Sequence, residues 1–157
     1  MENDVNFLFE DLSICQLGYV YRDVRKQASV MEKFFGIPKF TILGPLVMEI
    51  SLRGKQTKWT VTAGFGRLFN GVEIEIVQPE GGESIHKEFL EQGREGFHHI
   101  QYAVEDLPAI LEKFKEEGIE VLQFGKILGL KYAYMDTESL LGIIIEFSAV
   151  KKGRKRR

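Results

Sequence analysis

Four side chains able to bind a metal or move a proton stand at matching places in two similar stretches of the chain. Residues 16–24 match residues 99–107 position for position in polarity, and each stretch reads as a strand that ends at an aspartate. Gln16 and His99 begin these stretches. Further along, each half has a strand that opens as Gly-x-x-x-Glu, which ends at Glu75 in the first half and at Glu146 in the second. A duplicated unit would bring these four residues together.

The alternation of side chains along a strand predicts where these residues point. In the strand that contains His99, Tyr102 and Val104 belong to the face that packs on a helix, so His99 faces the opposite side, into a cleft. His98 goes with the helix-facing set or lies at its edge. Glu146 alternates with apolar neighbours and faces the cleft as well. Of the adjacent histidines, His99 is therefore the candidate for chemistry and His98 its structural neighbour.

One imidazole, two carboxylates and an amide oxygen make a reasonable site for a divalent metal, because the carboxylates compensate the charge of the ion and further positions stay open. Such a mixed set would accept Zn, Mn, Co, Ni or Fe. Taken singly, each residue has a plainer interpretation, since strand histidines are usually structural and strand glutamates usually face solvent. Glu73 shares the face of Glu75, and only the repeat, which pairs Glu73 with Ile144, prefers Glu75. Four concordant positions favour a site.

The elements that must position these residues form one unit, used twice: a strand, a helix and about three strands. Asp23 and Asp106 are placed to cap the two helices, and Gly36 and Gly118 to end them. The fold class is α+β, with two tandem βαβββ modules that form a curved mixed sheet around a metal cleft. In this single domain we expect the first module at 13–79, a linker with a short helix at 80–96, the second module at 97–149 and a disordered basic tail at 150–157. His86, on the linker helix, is interpreted as a surface histidine.

Composition narrows the class of protein. A chain of 157 residues with 44% apolar residues can bury one core, and its longest apolar run is too short for a membrane helix. The N-terminus is acidic, whereas a signal peptide begins with basic residues, so we expect the protein to be cytoplasmic.

Cys15 is the only cysteine, so an internal disulfide is excluded. We interpret its side chain as a small buried hydrophobe. Six of the 21 basic residues crowd into the last seven positions and leave 15 against 23 acids, a pattern that argues against a nucleic-acid surface.

At these residues the chain resembles the vicinal oxygen chelate superfamily, which includes glyoxalase I, methylmalonyl-CoA epimerase, bleomycin-resistance proteins and extradiol dioxygenases. The resemblance covers roughly residues 14–148. Its most specific pieces are Glu-Ile-Glu-Ile-Val-Gln-Pro at 73–79, Lys-Glu-Phe-Leu at 87–90 and Glu-Gly-Phe-His-His-Ile at 95–100, and the pattern is closest to epimerase-like and glyoxalase I-like members. The resemblance implies one metal held by Gln16, Glu75, His99 and Glu146, a small-molecule substrate and a homodimer.

The resemblance also implies the chemistry. Superfamily enzymes stabilise an enolate, so the chain would be an isomerase, epimerase or lyase acting on a thioester or 2-oxo compound, with Glu146 as ligand and base and Glu75 second. Epimerases typically have histidine where this chain has Gln16, and a carboxylate base where it has residues 59–61. A non-catalytic binding protein is the alternative, and a dioxygenase ranks below it because that class typically presents two histidines and one glutamate. We expect four further residues to line the cleft: Gln101, Trp59, Tyr132 and Tyr134.

Overall fold

A computed structural model describes Phe9 and residues 12–150. Its first half contains a strand, a helix and three strands, as the repeat predicts. These elements are β1 (Ile14–Val20), α1 (Val24–Phe35), β2 (Thr41–Leu52), β3 (Lys55–Arg67) and β4 (Glu73–Gly82). A bulge between Leu43 and Leu46 interrupts β2 without ending it.

The second half repeats the pattern after a short helix. Its elements are α2 (Ile85–Glu91), β5 (Gly96–Val104), α3 (Leu107–Glu116), β6 (Val121–Ile127), β7 (Leu130–Met135), α4 (Glu138–Leu141) and β8 (Ile144–Ala149). The α+β class and the two βαβββ modules are therefore confirmed. The single-turn helix α4 is an addition that the sequence pattern did not predict.

All eight strands form one sheet that closes on itself, in the order β1-β4-β3-β2-β6-β7-β8-β5. Within each module the first and last strands are parallel neighbours, β1 beside β4 and β5 beside β8. The modules join through two antiparallel pairs, β1 with β5 and β2 with β6. The strands that carry the four candidate residues, β4, β1, β5 and β8, are therefore consecutive in the sheet.

Helices α1 and α3 cover the outer face of the sheet, whereas α2 packs against residues of its inner face. Both α1 and α3 begin at their predicted aspartates, because Asp23 accepts a 3.0 Å hydrogen bond from the Lys26 amide and Asp106 one of the same length from the Ala109 amide. Such caps satisfy amides that have no partner within the helix. The buried apolar residues of each helix pack against alternate residues of the nearest strands, Ile74 and Ile76 for α1 and Ile145 and Phe147 for α3. The residues between them point inward.

Two further expectations concern membrane-spanning helices and the basic C-terminal tail. Among residues 12–150, no helix is long and apolar enough to cross a membrane. The predicted basic tail falls mostly on residues 151–157, which lie outside the described residues.

Candidate metal centre

The four predicted side chains meet at one ring nitrogen. Nε2 of His99 lies 3.2 Å from Oε2 of Glu75, 3.3 Å from Oε2 of Glu146 and 3.4 Å from Oε1 of Gln16. The four side chains come from β1, β4, β5 and β8, and all of them point to the inside of the closed sheet. Three are nearly inaccessible to solvent, and the side chain of Glu75 retains 15% of its exposure.

Strand register explains the convergence. Gly18 of β1 pairs with Glu75 on one side and with His99 on the other, so both side chains start from the same level of the sheet. Gln101 pairs with Glu146 in the corresponding place of the second module. The missing side chain of Gly18 is required, because a Cβ atom there would lie 1.9 Å from Cε1 of His99. The imidazole ring therefore occupies the space above this glycine.

The distances from Nε2 of His99 to the three oxygens fit a divalent ion. Two ligand atoms held about 2.1 Å from one ion at tetrahedral or octahedral angles lie about 3.0 to 3.4 Å apart, which matches the three distances from His99. One ring nitrogen can donate a single proton, whereas three oxygens surround this one. Apart from that nitrogen, Oε2 of Glu75 and Oε2 of Glu146 are buried with no hydrogen-bond partner in the described part of the chain. A cation would satisfy all of these atoms.

Glu73 orients the amide ligand without joining the centre. Its Oε1 accepts a 2.7 Å hydrogen bond from Nε2 of Gln16, which turns Oε1 of Gln16 toward His99. The other carboxylate oxygen of Glu73 lies 3.4 Å from the guanidinium of Arg67. Both carboxylate oxygens of Glu73 thus contact Gln16 or Arg67, whereas Glu75 contacts His99.

The surroundings of the centre also change the pKa values of its titratable side chains. Burial raises the pKa of Glu146 to about 7, and the adjacent His99 works against that rise. Burial also disfavours the charged form of His99, but the hydrogen bond to Glu75 and the charges of both glutamates outweigh it, so the pKa of His99 is raised. Burial, followed by the charge of Glu146, raises the pKa of Tyr134 well above its usual range, which keeps this phenol a hydrogen-bond donor.

A family of known proteins shares this arrangement of modules. The model of the Glyoxalase/Bleomycin resistance protein/Dioxygenase superfamily matches residues 15–134. The chain belongs to this superfamily. No curated protein matches the chain.

Solved structures of the superfamily's architecture resemble the chain over most of its length. A methylmalonyl-CoA epimerase from Mycobacterium tuberculosis is 12% identical with a TM-score of 0.63, over 88% of this chain and 87% of that one. A variant of the Streptomyces coelicolor epimerase, in complex with 2-nitronate-propionyl-CoA, is 16% identical with a TM-score of 0.59, over 89% and 95%. A mutant 4-hydroxymandelate synthase from the same organism is 13% identical with a TM-score of 0.60, over 88% of this chain and 48% of that one. These likenesses concern the fold.

In this superfamily member the centre opens into a cavity of about 300 Å³. The four residues predicted to line it do so, namely Gln101, Trp59, Tyr132 and Tyr134. Sequence reasoning missed the apolar side chains that line the rest of the cavity, which include Leu43, Leu46, Met48, Phe65, Ile127 and Leu130. Lys131 is the only basic side chain apart from histidine in the lining formed by the described residues. The cavity therefore combines a polar floor with apolar walls.

His86 is buried, and its prediction as a surface histidine is wrong. The residue is 1% exposed because α2 folds over the sheet and turns Ile85, His86 and Phe89 inward. Its ring stacks on Trp59 with 4.8 Å between ring centroids. Burial, followed by the neighbouring ring of His98, lowers the pKa of His86 well below its usual value. The spacing of Ile85 and Phe89 was the signal for this buried face, and His86 follows directly after Ile85.

His98 departs from strict alternation because it is the extra residue of a β-bulge. Gly18 pairs with His99 and Tyr19 with Phe97, so the register between β1 and β5 steps over His98. The bulge brings both histidines to the buried side, where His98 is 3% exposed and lies against Phe89 of α2. His98 therefore does not join the set that packs on α3. Burial, followed by the nearby His99, lowers its pKa well below the usual value.

Proposed function

We propose that the protein is a metal-dependent isomerase, epimerase or lyase that removes a proton beside the carbonyl group of a thioester or 2-oxo substrate. The observation that carries this proposal is the meeting of three oxygen donors around Nε2 of His99 at 3.2 to 3.4 Å, inside a cavity. Gln16, Glu75, His99 and Glu146 would hold the ion, which is Zn, Mn, Co, Ni or Fe. The bound ion would supply positive charge that stabilises the negative charge of an enolate.

The chain itself supplies the base and its surroundings. Glu146 is the residue we assign to proton removal, because it is the more buried of the two carboxylates and burial raises its pKa, which makes it a stronger base than an exposed carboxylate. Gln101 and Tyr134 hydrogen-bond to Glu146 and fix its position. Glu75 is the second carboxylate able to exchange a proton. The apolar walls limit the access of water to the reacting atoms.

The cavity walls support a substrate with an apolar portion. Trp59 and Val61 occupy the region of β3 where an epimerase would place its carboxylate base, and both line the cavity. The lining carboxylates are Glu73, Glu75 and Glu146, all from β4 and β8. If the protein is an epimerase, we assign its two bases to Glu75 and Glu146, because Glu73 is held by Gln16 and Arg67. A homodimer and a cytoplasmic location belong to the same proposal and rest on the resemblance and the composition.

The first test is metal content. Protein purified without chelator and analysed for bound metals should contain about one divalent ion per chain, and His99→Ala and Glu146→Ala should lose it. Glu105→Ala, which removes an exposed carboxylate just beyond β5, should retain it. If neither His99→Ala nor Glu146→Ala lowers the metal content, the site is not a metal centre.

The second test is proton exchange with solvent. Acyl-CoA thioesters and hemithioacetals are incubated with the metal-loaded protein in deuterated water, and deuterium next to the carbonyl group is measured. Exchange that depends on Glu146 would support the enolate mechanism. The apolar lining of the cavity also suits a non-catalytic binding protein, and tight binding of a small molecule without any exchange would favour that second candidate.

A further inference from the structure

The two adjacent histidines are joined through their rings. Nδ1 of His98 lies 3.1 Å from Nδ1 of His99, and the ring planes are nearly perpendicular, at 89°. Two nitrogens at this distance form a hydrogen bond only if one carries a proton and the other a lone pair. The bulge in β5 creates this contact, because a regular strand would send neighbouring side chains to opposite faces.

The metal centre decides which nitrogen carries the proton. Nε2 of His99 faces Glu75, Glu146 and Gln16, and it can ligate an ion only through its lone pair. A neutral imidazole with a lone pair on Nε2 carries its proton on Nδ1. The Nδ1–H group of His99 must then donate to Nδ1 of His98. A neutral His98 ring that accepts at Nδ1 carries its own proton on Nε2.

Packing holds the His98 ring in the accepting position. His86 stacks on one face of the ring with centroids 4.9 Å apart, and Phe89 meets it edge-on, also at 4.9 Å. Both residues belong to α2, and the guanidinium group of Arg94 lies 4.4 Å from the centre of the Phe89 ring. A buried ring fixed in this way cannot turn to offer its other nitrogen without displacing α2.

We propose that His98 is a positioning residue for the metal centre: it accepts the Nδ1–H proton of His99 and so presents the Nε2 lone pair of His99 to the ion. This inference rests on the proposed function, because it assumes that His99 is a ligand. Partners of this kind fix the tautomer and the ring orientation of a ligating histidine, and their loss typically weakens metal binding about 10- to 100-fold. In this chain the partner is the preceding residue.

The direct test is NMR of protein labelled with ¹⁵N in its histidine rings. In the Zn²⁺-loaded protein, the His99 ring should carry a slowly exchanging proton on Nδ1, with a coupling between Nδ1 of His99 and Nδ1 of His98 across the hydrogen bond. A proton on Nε2 of His99, or the absence of a proton between the two Nδ1 atoms, would overturn the proposal.

Zn²⁺ affinity, measured by competition with a chromophoric chelator, tests the same bond by substitution. His98→Leu removes the acceptor and should weaken binding about 10- to 100-fold. His98→Asn keeps an acceptor near the place of Nδ1 and should stay within about threefold of the unaltered protein, so it is the matched control for His98→Leu. Thermal unfolding of each metal-free variant shows that it is folded. Equal affinities for His98→Leu and His98→Asn would refute the positioning role.

Two other outcomes separate this proposal from the one on which it rests. If His99→Ala binds Zn²⁺ as tightly as the unaltered protein, the proposed metal centre itself fails. If His99→Ala abolishes binding while His98→Leu leaves it unchanged, the centre stands and only the role of His98 falls. Donor nitrogens of His86, His98 and His99 also lie within 4.8 Å of one another. A stoichiometry of two Zn²⁺ ions per chain that drops to one in His98→Leu would make His98 a ligand and overturn the proposal.

Discussion

The two modules hold their glutamates in the same register but give them different neighbours. Glu75 lies opposite Phe65 of β3, and Glu146 lies opposite Tyr134 of β7. Tyr134 hydrogen-bonds to Glu146, whereas the ring of Phe65 has no donor to offer Glu75. The side chain of Glu146 is 5% exposed, against 15% for Glu75. The two modules thus contain one nearly buried, hydrogen-bonded carboxylate, Glu146, and one that is more exposed, Glu75.

The first strands of the two modules, β1 and β5, also differ in how deeply their candidate ligands are buried. The amide of Gln16 is held by the partly exposed Glu73, while the ring of His99 is fully buried and rests on Gly18. The place of Gly18 in module one is taken by Gln101 in module two, because each pairs with the glutamate of its own module. Duplication therefore determines where the side chains point. Differences between the copies determine which module supplies the rigid nitrogen ligand and the base.

The largest expected effect separates the two glutamates. Glu146→Gln should lower the rate of substrate deuterium exchange about 10²- to 10⁴-fold, the range for loss of a general base. Glu75→Gln removes a carboxylate from the matching position of the other module and should lower that rate much less, mainly through weaker metal binding. Rates are measured at saturating metal so that loss of the ion is not mistaken for loss of the base.

Each of these variants keeps an oxygen that can still ligate, so the comparison isolates the ability to take up a proton. Equal losses of exchange in the two variants would mean that the difference in burial between Glu75 and Glu146 has no functional consequence. A larger loss in Glu75→Gln would assign the base to module one.

An effect on binding should follow from the close approach at Gly18. A Cβ atom at this position would overlap the His99 ring, so Gly18→Ala must displace His99 or separate β1 from β5. We expect a loss of about 1 to 3 kcal/mol in the free energy of unfolding, typical of overpacking, together with weaker Zn²⁺ binding. Denaturant unfolding and metal titration measure the two quantities. Gly81→Ala on β4 is the matched control, because no atom lies within 4 Å of its Cβ position. Unchanged Zn²⁺ affinity in Gly18→Ala would show that the His99 ring does not depend on this space.

The sequence predicted the repeated unit because its signals are local and occur twice. The aspartates that begin the helices and the alternation of apolar residues in the last strands appear in both halves, and each copy supports the interpretation of the other. The same duplication pairs Gln16 with His99 and Glu75 with Glu146, and the structure brings these four residues together.

The surroundings of the centre could not be predicted in the same way. The bulge at His98 adds one residue to one strand, and no periodic pattern reveals it, so strict alternation gave this ring the wrong neighbours. His86 lies on the linker helix, which occurs once and has no counterpart to compare. Its burial depends on how α2 folds across the sheet, a tertiary contact that a seven-residue helix does not encode by itself. The mouth of the cavity depends likewise on residues far apart in the chain.

The smallest expected effect tests the hydrogen bond that distinguishes Glu146 from Glu75. The hydroxyl group of Tyr134 favours the ionised form of Glu146 and so lowers its pKa. Tyr134→Phe gives Glu146 the kind of neighbour that Glu75 has, and the pKa of Glu146 should rise. Because the base acts in its ionised form, exchange increases with pH through this pKa, and the rising limb of the pH–rate profile should move to higher pH by up to about one unit, the equivalent of one ordinary hydrogen bond.

Tyr132→Phe is the control for this shift. Tyr132 also lines the cavity, and its hydroxyl group packs over Gly125, but Glu146 reaches it only through its charge and not through a hydrogen bond. In Tyr132→Phe we expect the rising limb of the pH–rate profile to stay at the same pH. A shift of the limb to lower pH in Tyr134→Phe would mean that the hydroxyl group stabilises the protonated carboxyl group of Glu146. In that case the hydroxyl group would strengthen Glu146 as a base, which is opposite to the effect expected here.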